Sequence, residues 1–429
     1  MVVYAAVAIF LISYVLIATE KVHRVAAALG GVAAMTLIGL VDAHSAFFDE
    51  HTGIDWNVVA LLFGMMVVVS VLRHTGLFEF IALWAARASQ GSPRRLMILL
   101  ICITSVFSPI LDNITTVLLV TPVTLAVCER LGIKPLPHLI AMVMASNIAG
   151  LATLIGDPPN LIAASRGGLG FNDFLIHSLP LCLILLGVLL GVLQLLFRRE
   201  LAQRVDVAAV LAGMDPGQAI ENRALLNRCL VVLVAVVVAF CIPAIPLQPS
   251  MIALLGAGAM VLVSGTKPEQ FLAEVEWLTL AFFMALFVLV GALVKVGVID
   301  QLGNLAAGAM HGSELGGATG LLLGSAAIGA IVDNIPYATA MAPIAQNMVA
   351  ATAHAGAASP LWWAFIFGAD LGGNATAVAA GANVVVLGIA AKAGQPISFW
   401  DFTKRGLIVT VATVAVAWLY IWLRYFALA

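Results

Sequence analysis

Four carboxylates stand in apolar runs between Leu96 and Ala391 of this chain: Asp112, Asp157, Asp333 and Asp370. Placing a carboxylate in hydrocarbon is expensive, so such residues tend to be there for a purpose. A carboxylate removed from water without a cation beside it either keeps its proton or binds a cation. No Lys or Arg within those runs can pair with the four at depth. Either outcome suits coupling to protons or sodium. Short amide and hydroxyl side chains cluster around the acids: Asn113, Thr115, Thr116, Ser146, Asn147, Thr153 and Asn160, then Asn334, Asn374, Thr376 and Asn383. At the broken ends of helices these groups can hydrogen-bond a small polar solute. Helix N-termini there favour an oxyanion, and C-terminal carbonyls favour a cation.

The cluster occurs twice. Asp112-Asn113 returns 221 residues later as Asp333-Asn334, and Asp55, Trp56, Gly76 and Pro122 match Glu276, Trp277, Gly297 and Pro343 at that offset. After a two-residue slip Asn147, Gly150, Thr153 and Asn160 match Asp370, Gly373, Thr376 and Asn383. A duplication with polar breaks at corresponding points is the sequence mark of a secondary transporter and its binding site.

The elements that must hold these residues are membrane-spanning. The 429-residue chain is 62% hydrophobic and 10% charged, against about 25% charged in soluble proteins. The net charge of −2 says little about partners, and no basic run suggests nucleic acid. Spans of suitable length are expected near 2–19, 24–42, 56–73 and 176–197, and again near 225–242, 247–264, 277–296 and 405–427. Val2–Ala18 precedes its positive flank instead of following one, so it reads as a retained first span and not a signal peptide. Cys102, Cys128, Cys182, Cys229 and Cys241 include no CxxC and read as small core residues. No metal site and no cofactor are expected.

Two regions per half differ in kind. Leu96–Leu111 and Ile114–Cys128 are arms too short to span comfortably, meeting at Asp112-Asn113; they read as a re-entrant hairpin, repeated in 316–352 with its tip at Asp333-Asn334. Region 138–165 reads as a helix broken around Ser146–Thr153 and again at Gly156-Asp157-Pro158-Pro159-Asn160, where two prolines remove two backbone donors and forbid a regular helix. Its counterpart runs from Gly368 to Asn383. Backbone freed at membrane depth is tolerated only where it is buried or lines a cavity.

The expected fold is an all-α polytopic membrane protein of two inverted-topology repeats, each with about five transmembrane helices, one re-entrant hairpin and one broken helix. Residues 1–200 form the first repeat, 201–224 a cytoplasmic linker (with Arg204, Asp215 and Glu221), and 225–429 the second repeat. An odd number of spans inverts the second copy. With the N-terminus outside, 17 of the 20 Lys and Arg fall inside and only Arg166, Lys295 and Arg424 outside, as the positive-inside rule asks.

Plainer roles compete with the functional ones. Asp-Asn at a hairpin tip can simply cap the next helix. Gly-Asp-Pro-Pro-Asn alone is a good surface turn. Thr115 and Thr116 can bond the preceding turn. Asp55 and Glu276, each beside a Trp, read as interface residues, and His138 as a helix-end residue.

The strings Ser108–Thr116, Ile148–Asn160, Ile54–Asn57 with Gly64–Met66, and Val332–Pro336 resemble the arsenite permease / sodium–proton antiporter / P-protein group of the ion transporter superfamily. The resemblance covers nearly the whole chain. It implies an inverted-repeat transporter, not an enzyme, whose two hairpin tips and two broken helices enclose a central site. The Gly-Asp-Pro-Pro-Asn string resembles the branch that includes arsenite permeases and P-protein relatives. The expected function is therefore proton-coupled export of arsenite or antimonite across a bacterial inner membrane. Asp112, Asp157, Asp333 and Asp370 would exchange protons, and the Asn, Ser and Thr groups would bind the solute. A homodimer and a soluble ATPase subunit are possible partners. The alternatives on the same scaffold are a sodium–proton antiporter and an oxyanion or carboxylate symporter; missing Lys and Arg at the site weigh against the latter. An intramembrane aspartyl protease would need Gly-x-Gly-Asp, whereas Gly156-Asp157 follows Leu154-Ile155. Broken helices in inverted repeats favour alternating access over a channel.

Overall fold

The structure, a computed structural model, describes residues 2–19, 21–202, 216–220, 222–265, 267–310 and 312–428. Arg204, Asp215 and Glu221 of the expected linker lie outside the described residues. The first repeat runs α1 (Val2–Thr19), α2 (Arg24–Leu37), α3 (Ala43–Phe47), α4 (Trp56–Arg73) and α5 (Leu77–Ser89). The hairpin α6 (Pro93–Leu111) and α7 (Asn113–Arg130) follows, then the broken pair α8 (Leu136–Gly150) and α9 (Pro158–Gly167), then α10 (Phe171–His177) and α11 (Leu179–Leu196). The second repeat has the same order without an α10: α12 (Arg223–Cys241), α13 (Pro249–Ser264), α14 (Pro268–Glu274), α15 (Trp277–Lys295) and α16 (Val298–Ala309). Its hairpin is α17 (Glu314–Gly329) and α18 (Asn334–Ala350), its broken pair α19 (Pro360–Gly372) and α20 (Gly381–Lys392), and its last helix α21 (Phe399–Trp422). The described residues hold seven helices long and apolar enough to cross a bilayer.

The repeats interlock by exchanging partners. Helix α2 packs on α15 of the other copy, and α13 packs back on α4. The second arm of each hairpin packs on the other copy's helix beyond the break, α7 on α20 and α18 on α9. Paired swaps of this kind are what a two-fold relation between copies produces. Burial follows position. The most apolar windows of α4 and α15 are 67% and 72% buried, so these are central, whereas α1 is 17% buried and α11 and α12 are each 28% buried, leaving their apolar faces to lipid.

Small residues set the closest approaches around the hairpins, as is usual where lipid removes the hydrophobic drive between helices. A Cβ on Gly368 would stand 2.5 Å from the Leu322 carbonyl oxygen, and one on Gly372 2.7 Å from that of Ala326, so only glycine lets α19 lie this close to α17.

The expectations need four adjustments. Helices α5 and α16, each opening at a left-handed glycine (Gly76 and Gly297, φ 75° and 73°), precede the hairpins and were not anticipated as helices. The arms α6 and α7 have 19 and 18 residues, about 27–28 Å each, longer than the sequence suggested. Pro158 and Pro159 do not prevent a helix. They open α9, in a first turn whose N–H groups have no intrahelical partner in any case. Finally, Cys128, Cys182 and Cys229 are buried, but Cys102 is exposed on α6.

Candidate functional site

The two hairpin tips meet. Asn113 Nδ2 donates to Asp157 Oδ2 at 2.7 Å, and Asn334 Nδ2 donates to the other oxygen, Oδ1, at 3.2 Å. Both hairpins thus end at one carboxylate, at the head of α9, and turn back. The broken helices close the ring. Asn147 Nδ2, at the end of α8, donates to Asn374 Oδ1 at 3.0 Å and Asn383 Oδ1 at 3.1 Å across the repeat boundary, while Asn113 Nδ2 also reaches Asn147 Oδ1 at 3.3 Å. Asn113, Asn147, Asp157, Asn160, Asn334, Asp370, Asn374 and Asn383 are each no more than 3% exposed.

The breaks are held by the same device in both copies. Asn160 Nδ2 donates to the carbonyls of Gly150 and Thr153, each at 2.9 Å. Asn383 Nδ2 donates to those of Gly373 and Thr376, at 2.7 and 2.8 Å. Thr153 donates its hydroxyl to the Pro109 carbonyl, and Thr376 to that of Ala330 at 2.7 Å, pinning each break to the first arm of its own hairpin. Each asparagine amide thus serves carbonyls freed where the helix stops, as buried backbone requires. Helix α21 reaches the second break because Gly406 has no side chain; a Cβ there would stand 2.3 Å from the Asn374 carbonyl oxygen.

Other anticipated residues sit within the tips. Asp112 caps α7, accepting from the Thr115 N–H and the Thr115 hydroxyl, both at 2.8 Å, while Thr116 donates to the Asp112 carbonyl at 2.7 Å. Ser146 donates to the Asn113 carbonyl at 3.1 Å and accompanies Ser108, which donates to the Ser146 carbonyl at 2.8 Å. Asp333 caps α18 through the Ile335 N–H at 3.0 Å.

Asp333 also corrects the expectation that the four acids lack a cation. Arg24 Nη1, from the first turn of α2, lies 3.9 Å from Asp333 Oδ2, and its guanidinium covers the Phe282 ring at 5.3 Å. In the sequence Arg24 is one of several cations flanking a span, and nothing distinguishes it; the exchange of α2 onto α15 brings it to the site. Glu276 is likewise more than an interface residue. It borders a 670 Å³ cavity with Arg24, Asp333, Thr279 and Gly381, which ends beside both tips. Asp55 behaves as expected, capping α4 through the Asn57 and Val58 N–H groups at 3.0 and 3.2 Å. His138 ties the head of α8 to the Pro93 carbonyl at 3.1 Å.

A second cavity, lined by Asn57, Leu154, Ser165, Gln248 and Ser250, has 210 Å³. The duplication relates the two, since Val58 matches Thr279 and Leu161 matches Val384. At the smaller one, the lining Ser165 hydroxyl donates to Asp55 Oδ2. The larger cavity thus lies on the Arg24 side, beside both tips, and the smaller on the Asp55 side.

Unpartnered groups complete the chemistry. Among the described residues, both carboxylate oxygens of Asp370, Oδ1 of Asn113 and of Asn160, and Nδ2 of Asn374 are buried without a protein hydrogen bond. Acceptors outnumber donors, so the buried ring suits a proton, a cation or a hydroxyl-bearing solute.

An all-helical membrane protein with crossed hairpins, paired helix breaks and a buried central polar site is a membrane transporter. The chain belongs to the citrate transporter family, CitMHS, which matches residues 14–368. An uncharacterized transporter of Mycobacterium tuberculosis is 50% identical over 425 residues, 99% of either chain. The human P protein is 34% identical over 488 aligned residues, covering 95% of this chain and 58% of the human one. Among solved structures, the Alcanivorax borkumensis YdaH transporter superposes with a TM-score of 0.64 at 15% identity over 98% of this chain and 97% of its own. Neisseria gonorrhoeae MtrF, described as one of a class of antimetabolite efflux pumps, superposes with a TM-score of 0.63 at 12% identity, over 100% of this chain and 96% of its own. At such identities these two carry the fold alone.

Proposed function

We propose that the protein is a proton-coupled secondary transporter of a small oxygen-rich solute, bound where Asn113 and Asn334 converge on Asp157. That convergence is the observation that carries the reading: two hairpins from opposite repeats share one buried polar centre with unsatisfied oxygens. Coupling is assigned to the buried pair Asp157 and Asp370, with Asp112 and Asp333 holding the tips. Asn113, Asn147, Asn334 and Asn374 supply amides to the solute. The remaining anticipated groups, Thr115, Thr116, Ser146, Thr153, Asn160, Thr376 and Asn383, keep the tips and breaks in register for it.

The solute class favoured is a small carboxylate or oxyanion. The family's citrate transporter description supports it, and Arg24 at the inner edge of the cavity supplies the cation whose absence had weighed against it. Export of arsenite or antimonite is the second reading, favoured by one observation: the innermost ring consists of neutral amides and two acids, a surface suited to an uncharged trihydroxide. Both place the protein in a bacterial inner membrane with its N-terminus outside and the Arg24 cavity facing the cytoplasm.

Everted vesicles containing the protein, energised with a proton gradient, test this against citrate, arsenite and sodium separately. Protonophore-sensitive flux of citrate supports the first reading and of arsenite the second. Sodium-dependent proton release without flux of either solute would replace both with a sodium–proton antiporter.

A further inference from the structure

The duplication matches Asn147 to Asp370 and Asn160 to Asn383. In one half the amide of Asn147 gives its N–H to Asn383 Oδ1 at 3.1 Å. In the other half the equivalent of that donor is a carboxyl, and the equivalent acceptor is Asn160 Oδ1. Neither Asp370 nor Asn160 Oδ1 has a protein hydrogen bond, although Asn160 is otherwise held like its twin, through two backbone carbonyls. Helix α19, which carries Asp370, packs on α9, which carries Asn160. At this pair of positions the two halves differ: where the first has a hydrogen between two side chains, the second has only lone pairs. A buried carboxylate without hydrogen bonds is the costliest arrangement available, whereas a carboxylic acid supplies the missing hydrogen.

We infer that Asp370 is the residue that holds the site's exchangeable proton, donating it toward Asn160 Oδ1 where the other half uses the Asn147 amide. This rests on the coupling reading above and narrows its pair of acids to one. Asp157 accepts two amide N–H groups and serves as the site's fixed carboxylate. The other titratable groups on elements packed against α19 sit toward helix ends: Arg166 on α9, His138 on α8, Glu314 on α17, Asp333 at the head of α18, and Asp401, Lys404, Arg405 and Tyr420 on α21, with Tyr337 bonded to Ser325 at 2.8 Å. Asp157 is the neighbour that interacts with Asp370. Release breaks the Asp370 O–H bond, leaves the carboxylate facing Asn160, and passes the proton to water admitted to the site during transport; reprotonation reverses each change.

The test is infrared difference spectroscopy of the full-length protein in liposomes, titrated across neutral pH, with no solute required. The wild type is expected to show a protonated-carboxyl band that disappears as pH rises. Asp370→Asn should lack the band, melt at or above the wild-type temperature because its amide now meets Asn160, and lose the pH dependence of solute flux. Asp112→Asn and Asp333→Asn should keep the band. A band that persists in Asp370→Asn overturns the assignment. If Asp370→Asn does not fold, Asn147→Asp decides: it recreates the lone-pair arrangement opposite Asn383 and should add a second band, and failure to add one overturns the inference. Loss of the band in Asp370→Asn together with flux that ignores the proton gradient in wild type would leave the proton site standing and remove the coupling reading instead.

Discussion

The two hairpin tips carry the same dipeptide in different states. At Asp112-Asn113 the aspartate backbone has φ 72° and ψ 159°, a region that only glycine enters without cost, worth about 1–3 kcal/mol of strain in other residues. Both of its carboxylate oxygens are used on Thr115. At Asp333-Asn334 the aspartate is relaxed, with φ −50° and ψ 136°; one oxygen caps α18 and the other lies near Arg24. The first tip is therefore closed upon itself, and the second is tied to a helix of the opposite repeat. The cavities differ in the same sense, 670 Å³ beside the second tip and 210 Å³ on the opposite side. Identical residues in the two copies have taken up unequal conformations.

The largest effect is expected at the point the tips share. Asp157→Ala removes the acceptor of the buried Asn334 amide, at about 1–3 kcal/mol, and leaves the Asn113 amide only its longer bond to Asn147. Solute flux in proteoliposomes should fall by at least tenfold. Asn113→Ala and Asn334→Ala sharpen the comparison: because both act on one carboxylate, their effects should be non-additive, with a coupling of roughly 0.5–3 kcal/mol in a double-mutant cycle of thermal stability. Additive losses would mean that the tips act separately.

Arg24→Ala should loosen only the second tip. Hydrogen exchange at residues 333–337 should accelerate while residues 112–116 stay as they are; equal change at both tips would contradict the asymmetry. Asp112→Gly and Asp333→Gly should then diverge. Both lose a cap side chain, at roughly a few tenths of a kcal/mol when glycine replaces it, but at Asp112 glycine also relieves the positive-φ strain, so Asp333→Gly should lower the melting temperature more.

The smallest effect lies outside the spans. Backbone N–H bonds from Ser45 to Asp42, and from Thr52 and His51 to Asp49, hold both carboxyls below their ordinary value. A depressed carboxyl contributes stability above its unfolded pKa and loses it as pH falls through the folded one. Exchange of residues 42–53 should therefore quicken below about the ordinary carboxylate value, with the tips unmoved.

Much of this was legible in the sequence because duplication filters chance. Asp112-Asn113 alone is a cap; recurring as Asp333-Asn334 amid apolar residues, it marks a site, and the structure brings both tips to one residue. Periodicity and length located α1, α4, α11 and α15 closely. Arg24 was not legible, since its role depends on α2 crossing to the second repeat, a contact that leaves no local signal. Nor were the separate tasks of the four acids. Sequence shows that each is surrounded by apolar residues; only geometry shows that Asp157 takes two amides, that Asp112 and Asp333 cap helices, and that Asp370 meets no donor. Asn160 and Asn383 looked like solute ligands because amides at helix breaks usually face a cavity, yet their N–H groups are used on the breaks themselves.

The most direct measurement is coupled flux in proteoliposomes containing wild type and Asp157→Ala, with citrate and arsenite offered separately under an imposed proton gradient. The account predicts that one of these solutes moves in wild type, that a protonophore abolishes its accumulation, and that Asp157→Ala abolishes both solute and proton movement. Undiminished flux in Asp157→Ala would contradict a site built where the two hairpin tips meet.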